Sequence, residues 1–377
     1  MRIFLIIVGL LAALVLAMWI AGRGAQHNAD NEIWPAGLGQ LKTAPQRFPA
    51  HGTTPAATTL NRLVEPLGLD LIVLVRPELK HDPRTVTVLQ YVTTELERNA
   101  AVEPPPRAVA QYMADHAEHF AAVRRQAREG GTIAFAVDVA KKEPPKPDVA
   151  AIYQLNRLLL ADALVRSGNG DAVAWDDLEA AWRVAQSLFE RPEEDSQILA
   201  VMTQQNIAEA ARRMPLPVPT WLTELREVDA RTRYLASLQA ESWQMMHRDN
   251  FFAVVIQLSA RIAGEQRWAA EQLEGETRCV FDGALFFHKA ADHLVFWKTL
   301  GQVDRSAVEH GLERLFRMPA EFELTDRVLG TRSGAAPVPQ SACPDGDWVY
   351  EADPPGSTTI HFSEELEPPL EFVISGK

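Results

Sequence analysis

Several signatures that would assign a chemistry are missing from this chain. There is no Gly-x-Ser-x-Gly elbow for a serine nucleophile, no His-Glu-x-x-His pair and no glycine-rich phosphate loop. The terminal Ser375-Gly376-Lys377 lacks both the glycine spacing and the following helix of such a loop. Basic charge is also in deficit: 37 Lys and Arg stand against 50 Asp and Glu, a net −13. A negative body repels phosphate backbones, which argues against nucleic acid as a partner. The runs Arg124-Arg125 and Lys141-Lys142 are too short to be more than solvated faces. Cysteine is nearly absent, with Cys279 and Cys343 alone. None follows the N-terminal apolar run, which excludes lipoprotein-type acylation. In an exported chain such a pair reads as a disulfide, closing a loop of about 65 residues and stabilising by roughly 4 kcal/mol. The alternative is two unpaired thiols, Cys279 buried beside Phe281 and Cys343 on a loop.

What is present begins with nineteen uncharged residues, 3–21, between Arg2 and Arg23. As a helix they would rise roughly 30 Å, the thickness of a bilayer's hydrocarbon core. A cleaved signal would carry a shorter apolar region and small residues before the cut, whereas Met18-Trp19-Ile20 is bulky. The run is therefore expected to be an uncleaved anchor over 1–22, in contact with the membrane through residues 3–21. The expected location is the bacterial inner membrane, single-pass, with the bulk of the chain facing the periplasm.

Composition divides the remainder. Residues 23–57, rich in Gly, Pro, Ala, Thr and Gln, read as a spacer. A mixed, mostly helical unit is expected over 58–147, with helices near 85–97 and 107–129; residues 69–75 are open to helix or strand. The proline cluster at 144–147 separates it from a helical domain over 148–317. There the apolar stripes predict helices near 149–166, 172–190, 193–213, 221–264, 276–300 and 306–316, joined as antiparallel hairpins or a bundle, or stacked as a solenoid. Residues 318–377 are expected to be a loop followed by a small three-stranded meander. Trp348, Tyr350, Ile360, Phe362, Leu370, Phe372 and Ile374 all fall at even positions, the period of a strand. Asp353-Pro354-Pro355-Gly356 supplies the first turn. The fold class expected is thus mainly α, with a C-terminal β meander and an N-terminal transmembrane helix.

Candidate chemistry is sparse. His116 and His119 lie three apart on a helix and can present both imidazoles to one metal ion; no further ligand cluster accompanies them, so no metal and no cofactor are expected. His288 and Asp292, four apart, could form an oriented base, or simply a satisfied polar pair. Asn156 and Gln205 interrupt apolar stripes and could line a groove between helices or fix helix register.

The segment 149–190 is similar to a tetratricopeptide hairpin, but no second copy follows at the 34-residue period, so a plain helical hairpin is the expectation. The phrase from Ala57 to Leu69, with the helical region from Leu158 to Glu190, resembles a group of uncharacterised bacterial helical proteins with N-terminal membrane segments. That resemblance implies the architecture and carries no activity. The function expected is a binding or scaffold module of the cell envelope, with an envelope protein as partner. The alternative is an envelope hydrolase using His288 and Asp292, or a metal at His116 and His119.

Overall fold

The computed structural model describes residues 2–28, 44–72, 82–141, 145–247, 279, 305–353, 356–364, 366 and 368–375. Helices dominate, with one small antiparallel sheet at the C-terminal end.

The first helix, α1, runs Arg2–Asn28, and among its described side chains Val8, Leu10, Leu11, Leu14, Leu16 and Ile20 are uncovered. Among the described residues no helix is long and apolar enough to cross a membrane. Of the expected transmembrane helix the structure supports the coarser content, a helix with an exposed apolar surface.

Part of the expected spacer is docked. Helix α2 (Ala44–Arg47) and Phe48 bury Ala44 and Phe48 against Val137, Val139, Ala236 and Ala240. His51 and Val137 then exchange backbone hydrogen bonds of 2.9 and 3.0 Å. Thr54 caps α3 (Pro55–Val64) by accepting from the Ala57 amide, and its own hydroxyl donates to the Thr132 carbonyl at 2.9 Å. Residues 69–72 are neither helix nor strand; Leu69 and Leu71 are buried, and the Leu71 amide donates to Asn61 Oδ1 at 2.6 Å.

Helix α4 (Arg84–Glu97) is followed not by one helix but by two, α5 (Arg107–Asp115) and α6 (Ala117–Glu129). They part at His116, whose φ of −108° and ψ of 11° leave the helical region. Helices α7 (Val149–Gly168), α8 (Ala174–Phe189) and α9 (Glu194–Ala211) form the centre. Asp148 caps α7 by accepting from the Ala151 amide at 2.9 Å. Gly170, at φ 72°, turns the chain into α8, a conformation costly for any residue with a Cβ. The three helices pack on one another through Ile152, Leu155, Leu159, Trp182, Val184 and Ile207, all fully buried. Helices α10 (Glu224–Glu227) and α11 (Ala230–His247) follow.

Leu60, Val88, Tyr112 and Phe120 belong to the same apolar core as α7–α9. The boundary expected at 147/148 therefore does not divide two cores. Arg191, fully buried in the α8–α9 connection, ties them further. Its guanidinium donates to the carbonyls of Ala136 at 3.0 Å and Pro145 at 3.1 Å, and to both Glu193 oxygens at 2.8 and 2.9 Å.

The last helix, α12 (Arg305–Arg332), passes straight through Pro319 and replaces the loop expected after residue 317. Proline inside a helix costs about 3 kcal/mol. Continuing the helix keeps Leu312, Leu315, Phe316, Ala320, Leu324 and Val328 on one buried stripe, which outweighs that cost. Strands β1 (Trp348–Asp353), β2 (Ser357–Phe362) and β3 (Glu371–Ile374) form the antiparallel meander in the order β1-β2-β3. Trp348 stands opposite Phe362, Tyr350 opposite Ile360, and Ile360 opposite Phe372. Period two thus brings the even-numbered apolar residues onto one face, laid on Ala320, Leu324 and Val328 of α12. Cys279 and Cys343 are joined by a disulfide in that same cluster.

Candidate functional site

Among the described residues, a groove of about 640 Å³ opens between residues 46–48, the end of α8 and the α10–α11 corner. Its position follows from the docking of α2: Phe48 is held by the cluster with Ala236, and Phe189 closes the end of α8. Phe48, Phe189 and Val228 give it an apolar component, while Glu190, Glu224, Glu227 and Asp229 set four carboxylates around it. Two guanidiniums, Arg47 and Arg233, also line it. Arg233 is spent on Glu190 and the Phe189 carbonyl, at 2.9 and 3.0 Å, and Glu224 is held by Arg183 from outside the lining. Glu224 in turn keeps the Arg183 guanidinium above its ordinary range. Asp229 accepts from the Thr232 amide at 3.0 Å at the start of α11. With Arg183 counted, four carboxylates stand against three guanidiniums, which leaves the groove a small negative excess in an already acidic body. Chemically it suits a cationic segment with an apolar side chain.

The histidine pair lies elsewhere. His116, at the α5–α6 break, has its Nε2 3.7 Å from Asp82 Oδ2, beyond hydrogen-bond reach. Both of its ring nitrogens are buried, without a hydrogen-bond partner among the described residues. The Tyr112 ring lies 4.5 Å away and that of His119 6.0 Å away, centroid to centroid. Asp82 is engaged by Arg84, whose guanidinium pushes its carboxyl down to about 2. Among the described residues no group of three or more His, Cys, Asp or Glu could hold a metal ion.

Asn156 and Gln205 bond to different helices. Asn156 Nδ2 reaches Thr203 Oγ1 at 3.5 Å, which joins α7 to α9. Gln205 donates to the Arg314 carbonyl and accepts from the Arg314 guanidinium, both at 3.0 Å, which joins α9 to α12. Each bonds a neighbouring helix. His288 and Asp292 lie outside the described residues.

Two buried ionic networks have almost no signature in the sequence. Arg124 of α6 reaches Asp162 at 3.1 Å and also Asp177, while Arg166 bonds Asp162 at 3.0 Å. Burial, with Asp162 beside it, pushes the Asp177 carboxyl well above the ordinary range. Between α9 and α12, Arg212 pairs with Glu321, which Arg317 also holds at 2.7 Å. Burial there raises the Glu209 carboxyl to about 7. The i,i+4 pairs Asp162–Arg166 and Arg317–Glu321, one in each network, are the local signals among the described residues.

No family model, no curated protein and no solved structure matches this chain.

Proposed function

We propose that the chain is a single-pass, membrane-anchored, extracytoplasmic helical protein that binds a partner protein or serves as a scaffold in the cell envelope. The observation that carries this reading is α1: its apolar side chains lie uncovered, Leu10 at 67% and Leu16 and Ile20 at 57% exposure. In sequence the uncharged run extends over residues 3–21, long enough for a bilayer core. A surface of that kind is satisfied by lipid or by another apolar partner. The disulfide is supporting, because such bonds persist in oxidising compartments such as the periplasm. The bacterial inner membrane, with the body on the periplasmic side, fits both.

The groove beside Phe48 is the proposed binding surface, and its carboxylates favour a partner segment carrying Lys or Arg. A photo-crosslinking side chain placed at Glu227 or Asp229 in cells should give one discrete adduct. The same group at exposed Glu118 should give none, and Glu224→Lys should abolish the groove adduct. Identical adducts from both faces, or no adduct at all, would remove the binding role.

A further inference from the structure

We propose that residues 102–107 are a rigid polyproline II ligand, docking into an aromatic-lined groove of a partner protein whose carboxylate receives Arg107. The stretch Val102-Glu103-Pro104-Pro105-Pro106 joins α4 to α5 without helix or strand. Each proline ring fixes φ at about −65°, and Pro106, at φ −53° and ψ 145°, lies in the polyproline II region. Such a helix has three residues per turn, so side chains three apart share an edge. Burial follows that period. Val102 and Pro105 are half-buried, Val102 against the main apolar core, whereas Glu103, Pro104, Pro106 and Arg107 are exposed. Two of the three edges therefore face solvent, Glu103 with Pro106 and Pro104 with Arg107, and each presents one proline.

Both ends of the stretch are held. The Glu103 amide donates to buried Glu95 at 3.2 Å, and Arg98 bridges Glu95 and Glu103 at 2.9 and 2.7 Å. At the other end the Pro106 carbonyl accepts from the Val109 and Ala110 amides at 2.9 and 3.0 Å as α5 begins, and Val109 is fully buried. A single proline suffices to open a helix; a run of three fixes the backbone before it as well. Little ordering is left for binding to impose, and this preformed shape is what aromatic-lined polyproline grooves recognise. Arg107 is exposed and has no ion-pair partner among the described residues, so its charge is available about 9 Å along the edge from Pro104. The segment shares no residue with the groove beside Phe48, and its geometry is independent of whether residues 3–21 enter a bilayer.

The probe is an SH3 domain with acidic residues beside its proline pockets, isotope-labelled and titrated with the full chain in detergent micelles. Saturable shifts of the aromatic and acidic residues of its groove are expected. Pro104→Ala/Pro106→Ala should weaken binding at least about tenfold, whereas Pro105→Ala, on the edge facing the body, should stay within about threefold. Arg107→Glu leaves the prolines in place, which keeps the test readable if the double variant loosens α5. It should weaken binding about tenfold at low salt and much less at high salt, where charges are screened. Hydrogen exchange across α4 and α5, within about twofold of wild type, checks that each variant is folded. No saturable shift, shifts outside the aromatic groove, undiminished binding by the double variant or by Arg107→Glu, or an equal loss from Pro105→Ala would each overturn the proposal.

Discussion

Replacing Arg191 by methionine keeps the length and apolar stem of the side chain and removes its five donors. In the folded protein that guanidinium satisfies the Ala136 and Pro145 carbonyls, approaches the Phe135 carbonyl at 3.4 Å, and grips Glu193 with two bonds. Breaking a buried pair by removing one partner costs about 3–5 kcal/mol, because the other charge stays desolvated. Each orphaned carbonyl adds a penalty of order 1 kcal/mol, but these losses share one side chain and do not sum. The expected total is therefore about 3–5 kcal/mol, read as a lower urea midpoint at unchanged slope. Arg183→Met is the control: its pairing with Glu224 is partly exposed and should be worth less than about 1 kcal/mol. Hydrogen exchange should place the Arg191 effect at residues 133–139, which this side chain holds against the helices. An Arg191→Met loss no larger than the Arg183→Met loss would refute the claim that the two halves are welded through this residue.

A second prediction concerns pH. The Glu209 carboxyl is raised to about 7 in the fold from 4.5, first by burial and then by nearby Glu321. The folded chain thus holds this proton more tightly than the unfolded one. The corresponding stability is fully present below pH 4.5 and is lost as pH rises through 7. Glu209→Gln should flatten that stretch of the urea-midpoint-versus-pH curve and stabilise the protein at pH 8; an unchanged curve would contradict the assignment. A third concerns Glu323, which accepts from the Trp348 indole, Ser341 and Ala342, each at 2.7 Å. Glu323→Leu should leave the buried indole N–H unpaired at a cost of about 1–3 kcal/mol. The proteolytic susceptibility of 341–362 should rise, and equal resistance of the two proteins would count against that role.

The meander was legible because period two survives burial: Trp348, Ile360, Phe362 and Phe372 alternate in sequence and fall on one face. The hairpin of α7 and α8 was legible for the same kind of reason, an apolar stripe broken by Gly170. Local signals failed where tertiary burial overrode them. Pro319 marks a helix end in isolation, yet the buried stripe of α12 continues past it. His116 breaks a helix that periodicity alone would run from 107 to 129. Residues 44–57 look like linker by composition, and what docks them is a remote partner, the stretch Ile133, Phe135, Val137 and Val139 with alternate side chains buried. The groove was not legible at all: Phe48, Phe189 and Asp229 are brought together by the fold and share no local pattern. The polar residues that periodicity did single out, Asn156 and Gln205, bond neighbouring helices.

The proposed placement of the body outside the cytoplasm, held by residues 3–21, is tested most directly by a reporter active only in the periplasm, fused after Lys377 and followed through membrane fractionation. An active reporter in the membrane fraction, resistant to carbonate extraction and released from it when residues 3–21 are deleted, is the result predicted. An inactive reporter, or an active one recovered as a shortened soluble product, contradicts it.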